Sequence, residues 1–142
     1  MQTLSRKGEK MNLDNHQIIH KVGENLEYIQ FRRLLDYQDI LTHAYTLRND
    51  TINFGPNLSL ESCTRNYQVL CHELNLNENN IIRPNQEHTS KVKRITKKET
   101  QELEYNPSYL EKTDGLITSQ KDIILATTNA DCILFLLDLS VN

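Results

Sequence analysis

Hydrophobic and polar positions change their period along this chain, and each change marks an element. From Leu26 to Leu34, Tyr28, Gln30 and Arg32 alternate with Ile29, Phe31 and Arg33. Alternation predicts a strand, because successive side chains of extended backbone point to opposite faces. Ile40 to Leu47 alternates in the same way and predicts a second. After the turn-rich run RNDTINFGPN, residues Leu60, Cys63, Tyr67, Leu70, Cys71 and Leu74 fall three or four apart. That spacing lines one side of an amphipathic helix, with Ser59 or Ser62 suited to cap it.

The second half reads as short pieces. Asn75 to Asn80 is a polar loop with four asparagines, and Arg83-Pro84 interrupts the apolar step Ile81-Ile82 just before His88, which predicts a strand-edge loop there. Lys91 to Thr96 alternates enough for a short strand, whereas Lys97 to Leu110 reads as an exposed, acid-rich excursion closing in an Asn106-Pro107 turn. Leu116–Thr118, Ile123–Thr128 and Cys132–Leu137 then predict strands. The last two look buried and meet across Asn129-Ala130-Asp131.

The order β-β-α-β-β-β-β lacks regular βαβ alternation, so the expected class is α+β: a mixed, largely antiparallel sheet with flanking helices. Residues 1–23 are expected to be a poorly structured N-terminal segment, with Met11 a rival start to Met1, and residues 24–142 to form one unit. The chain stops soon after its most hydrophobic strand, which suggests truncation at the C-terminus, since an apolar central strand needs neighbours and cover.

Composition narrows the function classes. At 142 residues the chain has room for one core, yet only 37% of positions are hydrophobic, with three Phe and no Trp. The net charge of −3 speaks against a nucleic-acid surface, and Lys91, Lys93, Arg94, Lys97 and Lys98 read as a solvated strand and loop. With no signal-peptide core and no apolar run long enough to span a bilayer, the expected location is the cytoplasm, without a membrane role. Cys63, Cys71 and Cys132 are odd in number and form no CxxC pair, as expected of reduced thiols.

Candidate chemistry gathers at two places, NQEHTSKV with His88 and TTNADCILFLL with Cys132. Imidazole and thiolate are both zinc ligands, but a catalytic zinc usually takes three protein ligands, and His16, His20, His43 and His72 have no comparable setting. Core packing remains the plain alternative for Cys132. In favour of a site stand Asp131 beside the thiol and Asn85, Gln86 and Glu87 beside the imidazole. Cys63 and Cys71 fall on the helix's apolar stripe and read as core.

In order, HAYTLRN, NFGPN, the helix with Asn66, NIIRPNQEHTSKV, TDGLIT and TTNADCILFLL resemble the N-terminal half of the laccase-domain family. Its members go by multicopper polyphenol oxidase or peptidoglycan editing factor, and characterised ones are purine nucleoside phosphorylases that also deaminate adenosine. The resemblance implies a zinc site, with copper the alternative metal, held by His88, by Cys132 and by a histidine of a later HxGW element that has no counterpart here. It therefore implies purine nucleoside and phosphate as partners, and a second chain to complete the domain and restore activity. Arg48 is then the candidate anion or ribose contact, Asn66, Asn85 and Gln86 further polar contacts, and Asp131 a group that orients the site. Asn49-Asp50 stands where many members carry a glycine pair.

Two other readings stay open. Cys132 as nucleophile with His88 as its base would make a thiol hydrolase or amidase, in keeping with a peptidoglycan role. Alternatively the chain is a non-catalytic remnant whose exposed last strand pairs with another polypeptide.

Overall fold

The computed structural model describes residues 11–55, 60–105, 110–130 and 133–135. They divide into two compact units, one ending at Leu76 and the other beginning at Asn77. Helices and strands both contribute, and the class is mixed α+β as expected.

In the first unit, strands β1 (Ile18–Val22), β2 (Glu27–Phe31) and β3 (Tyr45–Leu47) form an antiparallel sheet in the order β1-β2-β3. Helix α1 (Arg32–Leu35) follows β2, and α2 (Leu60–Leu74) closes the unit. Pairing Ile18 with Phe31 and Val22 with Glu27 leaves a four-residue loop, closed by the Gly23 N–H on the Leu26 carbonyl at 2.8 Å. Residues 1–23, read as poorly structured, thus supply β1 at their end, on the alternation of Ile18, His20 and Val22. Leu26, Tyr28 and Ile52 form the buried cluster, onto which Val69, Leu70 and Leu74 of α2 pack with Ala44 and Phe54. Of the stripe predicted for α2, Leu70 and Leu74 pack here and Cys71 is buried, while Val69, which lay outside that stripe, packs beside them. Asn75 ends the helix in the left-handed region (φ 55°), with the Leu76 N–H on the Cys71 carbonyl and the Asn75 N–H on that of His72.

Both predicted strands here are shorter than the alternation suggested. The first gives way to α1 after Phe31, and the second, expected from Ile40, begins in a turn, where the Tyr37 carbonyl accepts from Ile40 and Leu41. Only the residues opposite Glu27–Ile29 have a ladder to join. At Asn49, the side-chain oxygen accepts the N–H groups of Thr51 (2.8 Å) and Ile52 (2.6 Å), so a carboxamide closes the loop, and neither Asn49 nor Asp50 has a positive φ.

The second unit has a 3-10 turn at Glu78–Asn80, strands β4 (Ile81–Ile82) and β5 (Val92–Arg94), helix α3 (Lys97–Tyr105), and strands β6 (Gly115–Ile117) and β7 (Ile124–Leu125). Pairing here is parallel, β4 with β7 and β5 with β6. Ile82, Ile95 and Leu110 are buried together, with Leu116, Ile123 and Leu125 against them. The acid-rich excursion expected from Lys97 onward is helical for nine residues. Thr96 and Glu99 form a capping box: the Glu99 carboxylate accepts the Thr96 N–H at 2.8 Å and its hydroxyl, while the Lys98 N–H meets Thr96 Oγ1 at 3.3 Å.

The predicted turn at Asn106-Pro107 lies outside the described residues. Of the strand expected over 132–137, residues 133–135 are described, with Ile133 and Phe135 exposed and Leu134 half-buried between them. Among the described residues no helix is long and apolar enough to cross a membrane.

Candidate functional site

Pro84 is buried and lacks an N–H, so ladder bonding from β4 stops there and the chain crosses to the segment before β6. The Asn85 N–H reaches the Leu110 carbonyl (3.2 Å), and its own carbonyl accepts from Thr113 (3.1 Å), a residue with no exposed surface. His88 follows on a loop anchored at its base and open at its tip.

His88 has φ 58°, in the left-handed region that a side-chain-bearing residue enters at a cost of roughly 1–2 kcal/mol. What opposes that cost is Asp114. One of its carboxylate oxygens accepts the N–H groups of Glu87 (3.1 Å) and Thr89 (2.9 Å), and the other accepts the His88 N–H (3.0 Å). The Thr89 hydroxyl lies 2.9 Å from the same carboxylate and 2.6 Å from the Lys112 carbonyl. These donors, the Thr89 N–H foremost, hold the Asp114 carboxyl below its ordinary pKa, against the opposing effect of desolvation. The imidazole itself is exposed, and no described group takes either ring nitrogen.

Gln86 ties this loop to the other motif. Its Nε2 donates to the Thr128 carbonyl (2.8 Å), while its oxygen accepts the Thr128 N–H (2.8 Å) and faces the Thr128 hydroxyl at 3.2 Å. The carboxamide thus pairs with a peptide group 42 positions away, as a neighbouring strand would. Asn85 is exposed, its side chain donating to Glu87 at 3.2 Å.

Cys132 and Asp131, expected as ligand and orienting group, lie outside the described residues. Arg48 and Asn66 belong to the first unit. The former is exposed, and the latter is buried, its Nδ2 donating to the Asn53 carbonyl at 2.7 Å. Among the described residues no three His, Cys, Asp or Glu side chains gather as a metal site. Of the donors expected for zinc, His88 is described, and a solvent-facing, unengaged imidazole suits a metal.

Asp114 was not singled out by sequence. The signal that marks it is TDGLIT, an acid set directly before a β-prone run, as Asp131 is before Cys132. Two of the other histidines are engaged: His20 accepts the Leu13 N–H at Nδ1 (3.2 Å) and pairs through Nε2 with Glu27 (2.7 Å), and His43 accepts the Phe31 N–H at 2.7 Å, whereas His16 and His72 are exposed.

Residues 44–140 match the family described as multi-copper polyphenol oxidoreductase laccase. No curated protein matches the chain.

Proposed function

Because the chain belongs to the multi-copper polyphenol oxidoreductase laccase family, we propose that it carries part of a metal-dependent purine nucleoside site, with His88 and Cys132 as ligands and zinc as the metal. The supporting observation is the Gln86 tie. It draws Thr128 onto the loop that offers His88, and four positions of chain separate Thr128 from Cys132, a reach of at most about 14 Å. A free imidazole and a thiol on tethered segments are the donor types that zinc prefers.

In phosphorolysis, the bond between the ribose anomeric carbon and the purine nitrogen breaks, a carbon–oxygen bond to phosphate forms, and the purine leaves with a proton. In deamination, water adds at C6 of adenine and ammonia departs. Zinc, when bound, supplies Lewis acidity for either reaction. The chain's own part is to hold and orient. Asp114 fixes the His88 loop, Gln86 fixes the approach to Cys132, and the exposed Asn85 carboxamide is free on one face for a base or ribose hydroxyl. With Gln86 engaged at both ends, we assign it to the protein rather than to substrate. Among the described residues no third ligand is assigned.

The test is metal content by mass spectrometry for the chain and its Cys132→Ala variant, with purine release from inosine and phosphate. Near-stoichiometric zinc that is lost in the variant, with weak or absent turnover, is the expected result. A metal-free chain whose Cys132 alkylates rapidly would instead make the thiol hydrolase the better reading.

A further inference from the structure

Three successive peptide N–H groups, those of Glu87, His88 and Thr89, converge on the two oxygens of one carboxylate. Concave arrays of this kind bind anions, and here the anion is a side chain of the protein itself, delivered from a segment 25 to 27 positions away. We infer that Asp114 is a positioning residue, which sets the left-handed backbone of His88 and so the direction in which its imidazole is offered. This rests on the reading of His88 as a ligand.

The division of bonds makes the inference specific. One oxygen serves Glu87, Thr89 and the Thr89 hydroxyl, and the other serves His88. An asparagine at 114 keeps a single acceptor. Its lowest-cost orientation puts the oxygen toward Glu87 and Thr89, which leaves an NH2 group facing the His88 N–H, donor against donor. Asp114→Asn therefore spares most of the anchor and removes the bond at the one residue with φ 58°. Removing partners that orient metal ligands lowers metal affinity by roughly 10–100-fold, and a loss of that size is expected here.

The experiment compares wild type, D114N, D114E and T89V as the 142-residue chain. Three quantities are measured: zinc affinity by competition with a chelating dye, hydrogen exchange at the His88 amide, and the urea midpoint. For D114N the expected result is a near-wild-type urea midpoint, His88 exchange faster by about tenfold or more, and zinc affinity lower by the factor above. D114E keeps the charge but moves both acceptors by one methylene, and should also lose zinc affinity. T89V removes the hydroxyl but keeps all three N–H bonds to Asp114, so its His88 exchange and zinc affinity should shift less than those of D114N.

D114N that folds, binds zinc within twofold of wild type and leaves His88 exchange unchanged would overturn the inference. If D114N does not fold, D114E decides by the same two measures. Wild type that binds no zinc would sink the reading of His88 as a ligand instead, and His88 exchange in D114N would still report whether Asp114 holds the backbone.

Discussion

His43 and His88 are both reachable from solvent, and their rings are put to opposite uses. The Nε2 of His43 accepts the Phe31 N–H, and its ring stacks on that of Phe31 at 5.9 Å. Burial holds its pKa below the ordinary 6.5, since a charged ring would lose hydration and Nε2 could no longer accept. Between the lowered and the ordinary value the unfolded chain binds a proton that the folded chain refuses. His43 therefore contributes stability that is full above about pH 6.5 and is lost as pH falls through its folded pKa. The urea midpoint of wild type should drop more between pH 7.5 and 5.5 than that of H43Q, whose amide oxygen still accepts at every pH. Equal drops would remove His43 from the account. The loop that carries His88 was legible because a dense polar motif stands there behind a proline. Asp114 was not, since a carboxylate that caps peptide groups more than twenty positions away leaves no periodic trace.

Among the elements, α2 is the one whose sequence speaks most directly, because the spacing of Leu70, Cys71 and Leu74 both marks the helix and faces these residues inward. Strand ends were less legible, for a ladder stops where its partner stops, and the partner lies elsewhere in the chain. The helix α3 was passed over although T-K-K-E at Thr96–Glu99 is a capping box; its acid-rich composition hid a start signal that needs only four residues. The pair β5 and β6 offers a packing test. A methyl group on Gly115 would sit 2.9 Å from Val92 Cγ2, too close without a shift. Val92 is paired with Gly115 and is 63% exposed, so its branched side chain is the part that must yield. Gly115→Ala should cost about 1 kcal/mol, and the V92A/G115A double variant should recover most of it. Additive losses in chemical denaturation would show that the contact is not the cause.

At the scale of the whole molecule, metal and stability are linked. A ligand that binds only the folded chain stabilises it in proportion to the logarithm of its concentration over Kd, about 2.7 kcal/mol at a hundredfold excess. If zinc engages His88 and Cys132, the melting temperature should rise with added zinc, return on treatment with a chelator, and stay flat in Cys132→Ala. An equal rise in that variant would place the metal elsewhere. The α+β class could be read from the order of periods, but the parallel pairing of the second unit could not, because two- and three-residue strands carry too little pattern to declare a direction. That pairing also bears on folding kinetics. The sheet of the first unit is built from neighbours in sequence, Ile18 with Phe31 and Glu27 with Leu47, whereas Ile81 waits for Ile124 and Gln86 for Thr128. Contacts across long stretches of chain form slowly, since the loop must close before anything rewards it. During synthesis, then, the first unit has all of its strands and α2 available while the loop around His88 still lacks its tie. That loop can take its final form only after residue 128 has left the ribosome.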